Sequence, residues 1–154
     1  MSRVNAGIFP FYLTDQHLIA ESVEITMITG SLKQHKFQIK SEIPTKFSLG
    51  KGHVNFFKNK LLYLKNRLEL VNSHLEARGI KHSTVINQED YPTELWNDWT
   101  PTMEDSKIVR DRIAHRLWTP LKAKKNFHRW YKEPIDDMLD QFVTSMIFSQ
   151  LNDK

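Results

Sequence analysis

Between Phe57 and Leu75 the apolar residues Phe57, Leu61, Leu64, Leu68, Val71 and Leu75 return every three or four positions. That spacing lays side chains along one side of an α-helix. It predicts one long helix closed by Gly79, which tolerates the left-handed backbone of a helix C-terminus. On another face Lys51, Lys58 and Lys65 recur every seven residues.

An earlier helix is predicted from about Asp15 to Met27. Thr14 or Asp15 can cap it, because their side-chain oxygens accept the orphan N–H groups of a first turn, and Gly30 is the predicted stop. His17, Glu21 and Glu24 fall at i, i+4 and i+7, so they share a face and form a polar stripe able to line a cleft. Leu18, Ile19, Val23 and Ile25 supply apolar contacts around the remainder.

A polar stretch from Lys81 to Thr102 reads as loop. A third helix then runs from about Met103 to Leu117. Thr102 and Asp105 resemble a capping box with Asp in place of Glu. Ile108, Val109, Ile113 and Leu117 face inward, while Lys107, Arg110, Arg112 and Arg116 face outward. After Pro120 comes a basic, aromatic stretch that includes Lys122, Lys124, Lys125, Phe127, His128, Arg129, Trp130, Tyr131 and Lys132. Pro134 is placed to open a fourth helix, with Ile135, Met138, Leu139, Phe142, Met146 and Ile147 on its apolar side. Docking on the body is the simplest role for that helix; pairing two copies or holding a partner are the others. The pattern predicts an all-α, compact single-domain fold of three main helices plus an added C-terminal helix.

The 154 residues suffice for one domain with a real core. Composition is that of a soluble globular protein, and the absence of cysteine excludes disulfides and cysteine-based zinc sites. The seven histidines show no pair with metal-ligand spacing. No apolar run reaches the length of a membrane span, and no signal peptide is read at the N-terminus. The net charge of +4 conceals segregation. Residues 31–68 hold nine Lys or Arg and one acid, Glu42; residues 107–132 hold nine and one acid, Asp111; residues 87–105 hold six acids and no base. Two basic stretches set against acidic ones predict a polarised surface that fits a polyanion, most plausibly nucleic acid.

The small Ser2 permits removal of the initiator Met, which would leave a serine α-amine. Its pKa of about 8 keeps roughly a tenth of it neutral at pH 7. A neutral amine can attack a sugar carbon and form an imine, and a nearby carboxylate can hold the developing charge and move protons.

The chain resembles the pyrimidine-dimer DNA glycosylase family (endonuclease V-like). The resemblance is carried by Arg3-x-Asn5, then Asp15-Gln16-His17-Leu18 with Ala20-Glu21 and Glu24. It continues through Pro44-Thr45-x-Phe47-x-Leu49-Gly50-x-Gly52-His53-Val54-x-Phe56-Phe57, Lys60-Leu61, and at the far end Trp130-Tyr131-Lys132. It assigns residues 1–133 to a helical domain of that kind and residues 134–154 to a C-terminal amphipathic extension. It implies a DNA N-glycosylase with lyase activity on damaged or modified bases in double-stranded DNA, needing no cofactor and no metal. Ser2 would be the nucleophile and Glu24 the essential acid; Arg3 would contact a phosphate, and His17 the sugar or phosphate. The charge pattern adds Lys51, Lys58, Arg112, Arg116, Lys125, Arg129 and Lys132 as candidate nucleic-acid contacts, and the basic, aromatic stretch adds Trp130 and Tyr131. Trp130 can stack on a base or serve as a core or lid aromatic, and the Gly50–His53 block reads mostly as a tight, architectural turn. The resemblance also implies a phage source and a host-cytoplasmic setting.

Two departures stand out. Where the family carries an Arg immediately before the catalytic Glu and another three residues after it, this chain has Val23 and Met27. Where the family has a tyrosine pair after Trp-Tyr-Lys, it has Glu133-Pro134. These changes make the site less basic and open the choice of base. They also motivate an alternative: a non-catalytic member that binds DNA, or a host protein through residues 134–151.

Overall fold

The computed structural model describes residues 3–118 and 128–134. These form four helices, α1 (Asp15–Gln34), α2 (His53–Phe57), α3 (Leu61–Ala77) and α4 (Met103–Trp118), followed by a two-stranded ribbon, β1 (Arg129–Trp130) and β2 (Glu133–Pro134). The fold is all-α in class. Among the described residues no helix is long and apolar enough to cross a membrane.

Thr14 caps α1: its side chain accepts the His17 N–H at 3.1 Å. The helix passes through Gly30, contrary to the stop expected there, because Ile28 and Leu32 extend the buried line begun by Leu18 and Ile25. Gly30 lies on the exposed side with no atom near its missing Cβ. The true end uses Lys36, at φ 53°, with the Phe37 N–H reaching back to Leu32 O at 2.7 Å. This is the glycine-type termination carried out by lysine, and Phe37 packs against the core beside Tyr91.

The single long helix expected from residue 57 to 79 is broken. Lys60 has φ −125° and ψ 47°, outside the helical region. Its ammonium bonds Phe56 O and Asn59 Oδ1 and sits 3.8 Å from the centre of the Phe56 ring. The break lets Phe56 and Phe57 both be buried against Phe47, Tyr63 and Trp99. Lys51 and Lys58 therefore do not lie on α3 with Lys65, and Lys65 pairs with Glu69. The rest of the stripe behaves as predicted: Leu61, Leu64, Leu68, Val71 and Leu75 are buried. Gly79, at φ 73°, closes α3 as Ile80 N–H bonds Leu75 O.

α1 packs along α3, and α4 adds Val109, Ile113 and Leu117 to the same core. The capping box at α4 is reciprocal: Asp105 N–H donates to Thr102 Oγ1 at 3.1 Å and Thr102 N–H to Asp105 Oδ2 at 2.9 Å. Pro134 belongs to β2 instead of opening a helix. Tyr131 (φ 49°) and Lys132 (φ 68°) form the two-residue left-handed turn that a tight hairpin favours. The predicted fourth helix, with Ile135 to Ile147, lies outside the described residues, as do Ser2, Lys122, Lys124, Lys125 and Phe127.

Candidate catalytic and nucleic-acid site

The first described residues are fastened one by one. Arg3 Nε donates to Leu49 O at 3.0 Å. The Val4 N–H donates to His53 Nε2 at 3.0 Å, and the other ring nitrogen of His53 meets Ser48 O at 2.8 Å. A carbonyl can only accept, so the proton is on Nδ1 and the ring is neutral. The Gly50–His53 block is thus the clasp of the N-terminal segment. Gly52 has its own packing reason, since a Cβ there would sit 3.1 Å from Pro44 Cγ.

Asn5 continues the tether. Its amide donates to Glu21 Oε1 at 3.0 Å. Glu21 is fully buried and takes two bonds from Arg67, Nε at 2.6 Å and Nη2 at 3.1 Å, while Arg67 Nη1 donates to Ile8 O. The helical spacing puts Glu21 in a cleft-lining stripe, but the structure makes it the core anchor that joins α1, α3 and the N-terminal segment. Glu24 follows three positions later on that side of α1, only 6% exposed, about one helical turn along.

A second cluster forms where α1 begins and α4 ends. His17 Nδ1 lies 2.6 Å from Thr14 Oγ1, and its ring stacks on His128 with centroids 4.8 Å apart. Burial first, then the fields of His128, Arg116 and Arg112, push His17 down to about 3. Arg112 is lowered by burial, Arg116 and Arg3. His53 is held at about 4, mainly by burial, with Arg3 and Arg112 contributing and its Ser48 bond opposing. Arg3, Arg112 and Arg116 thus lie near enough to one another to act on the neutral rings of His17 and His53.

The ribbon docks on the first turn of α1. Asp15 is 4% exposed and accepts from Arg78 Nη1 (2.8 Å), Tyr131 N–H (3.2 Å) and Lys132 N–H (2.7 Å). Arg78 also binds the carbonyls of Pro10, Phe11 and Leu13 and lies 4.1 Å from the Tyr131 ring centre. Gln16 accepts the Arg129 N–H at 2.7 Å. The Trp130 indole N–H donates to Phe11 O at 2.8 Å, and its ring meets Phe11 edge-on. Trp130 is thus a docking aromatic of the ribbon. Tyr131, Arg129 and Lys132 are left exposed, while Lys51 and Lys58 flank α2. Nothing in the sequence singled out the partners Arg67 and Arg78; helical spacing cannot show that an arginine reaches a carboxylate more than forty residues away.

The two neutral histidines predict an acid sensitivity. Once unfolded, each binds a proton near its ordinary value of about 6.5, whereas folded His53 waits until about 4 and His17 until about 3. Below pH 6.5 the unfolded state holds more protons, so stability falls as pH drops through this window. Urea unfolding at pH 7.0, 5.5 and 4.5 should show the midpoint descending, with His53 alone accounting for on the order of 3 kcal/mol between pH 6.5 and 4. A flat midpoint would mean that the imidazoles are not held neutral.

A family model described as pyrimidine dimer DNA glycosylase matches residues 1–88 of the 154. The match spans the clasped N-terminal segment, α1, α2 and α3.

Proposed function

Because the chain belongs to the pyrimidine dimer DNA glycosylase family, we propose that it excises a damaged or modified base from duplex DNA through an imine at its own N-terminus and then cuts the strand. With the initiator Met removed, the Ser2 amine forms a bond to C1′ as the bond from C1′ to the base breaks. The base leaves with a proton, and the amine loses one. Opening of the sugar ring protonates O4′ and gives an imine between the Ser2 nitrogen and C1′. Loss of a C2′ proton then expels the 3′ oxygen with its phosphate, and water hydrolyses the imine to restore the amine. The Glu24 carboxylate is the group proposed to hold the positive charge of the imine and to carry these protons. To reach C1′ the nucleotide must leave the stack. Arg3, Arg112, Arg116 and His17 are proposed to hold the flanking phosphates, with Arg129, Tyr131 and Lys132 at the border.

One observation carries this reading: the tether of residues 3–5. The His53 clasp on the Val4 amide and the Asn5–Glu21 bond fix the chain against the turn of α1 that precedes Glu24. A catalytic terminus needs such a tether, since a frayed end would forfeit the advantage of a positioned nucleophile.

Borohydride reduction during turnover tests the proposal. An abasic or lesion-bearing duplex should give one covalent protein–DNA adduct, with the DNA attached at Ser2 by peptide mass mapping. Protein that retains Met1 should give none. Attachment at a lysine, or no adduct across dimer, abasic and modified-base duplexes, would overturn it.

A further inference from the structure

Thr14 decides which ring nitrogen of His17 carries the proton. Its side chain is fully buried, and its oxygen already accepts the His17 backbone N–H. The hydroxyl keeps one proton of its own, and a buried donor needs an acceptor. Among the described residues that acceptor is His17 Nδ1, 2.6 Å away. The lone pair is therefore on Nδ1 and the proton on Nε2, the reverse of His53. Nε2 takes no partner among the described residues, so its N–H is left to donate elsewhere.

His128 covers the face of this ring. The two imidazoles stack at 24° with centroids 4.8 Å apart. The ribbon delivers His128 to that place: the next residue, Arg129, donates its N–H to Gln16, which precedes His17 in α1. The charged or titratable groups whose fields reach His17 are His128 and, from α4, Arg116 and Arg112. No carboxylate is among them, and Asp15 is taken by Arg78, Tyr131 and Lys132. A proton on Nδ1 would displace the Thr14 hydroxyl and gain no acid in return. Resting on the DNA-glycosylase reading above, we propose that His128 is a positioning residue: stacked on His17 against the Thr14 bond, it fixes that ring as an uncharged donor whose Nε2–H bonds one phosphate oxygen of the bound duplex. Arg112 is already lowered by Arg116 and Arg3. A neutral donor adds direction to such a set, where a further cation would add repulsion.

Long-range proton–nitrogen NMR spectra of the free, isotope-labelled protein test the geometry, with His17→Gln assigning the signal. Wild-type His17 should be protonated at Nε2 alone and stay so from about pH 7 to about pH 5. In His128→Ala the ring should begin to take a second proton within that range. His128→Phe keeps an aromatic face and cannot titrate, so it should restore the wild-type behaviour. Binding to a duplex with a tetrahydrofuran abasic analogue, which forms no imine, tests the use of the donor. His128→Ala should bind on the order of fivefold more weakly at about pH 7 and regain part of that loss toward about pH 5.5, as a charge replaces the fixed donor. His128→Phe should follow the wild type. Wild-type His17 protonated on Nδ1 overturns the proposal and leaves the DNA reading standing. So does a His128→Ala protein whose His17 titrates as in the wild type, whatever its affinity. Wild-type protein that shows no salt-dependent binding to this or an undamaged duplex overturns the DNA reading, and the phosphate bond with it.

Discussion

Glu24→Gln should fold like the wild type and cleave a lesion-bearing strand about 10²- to 10⁴-fold more slowly, the range a positioned acid–base group contributes. Glutamine keeps the shape and the hydrogen-bonding reach of the buried side chain but cannot accept a proton or offset the charge of an imine. The loss should fall on the rate under single-turnover conditions, with duplex affinity held within a few-fold, because the proposed phosphate contacts Arg3, Arg112, Arg116 and His17 are untouched. Borohydride trapping should drop in parallel with the rate. A variant that cleaves within threefold of wild type, with unchanged circular dichroism, would remove Glu24 from the chemistry.

The largest stability effect is expected at Glu21. Glu21→Ala leaves the Arg67 guanidinium buried without its carboxylate and frees the Asn5 amide. Removing one partner of a buried ion pair costs about 3–5 kcal/mol. For a chain of this size that lowers the melting temperature by on the order of 10 °C. Replacing both partners, Glu21→Met with Arg67→Met, should cost much less, since neither charge is then stranded. Thermal and urea unfolding of Glu21→Met, Arg67→Met and the double variant form the cycle that isolates the pair. A Glu21→Ala protein within 1 kcal/mol of wild type would show that Glu21 and Arg67 do not anchor the N-terminal segment. Its tether to α1 also predicts a lower cleavage rate in Glu21→Ala at temperatures where the protein remains folded.

Much of the framework was legible in the sequence because it rests on local physics. The Thr14 cap, the Thr102–Asp105 box, the buried line from Leu61 to Leu75 and the Gly79 closure each need only neighbours within a few positions. The errors came where distant packing overrode a local signal. Gly30 looked like a stop, but Ile28 and Leu32 continued to bury and the helix ran on to a left-handed Lys36. The stripe from Phe57 looked unbroken, but burying Phe56 as well required the chain to turn at Lys60. Within the site, Arg3 and His17 were named from the resemblance and Arg112 and Arg116 from charge segregation, but neither signal shows that they share a neighbourhood. The His53 clasp, the Arg67 and Arg78 partnerships and the docking of Trp130 are long-range pairings, invisible to helical spacing.

One of those pairings has a temporal meaning. Asp15 receives the N–H groups of Tyr131 and Lys132, which lie 116 and 117 positions further on. During synthesis from the N-terminus the opening turn of the first helix therefore stays incompletely bonded until the ribosome has passed Lys132. A nascent or prematurely terminated chain can collapse around its first three helices, yet the start of the first of them gains its last partners only once Lys132 has been made.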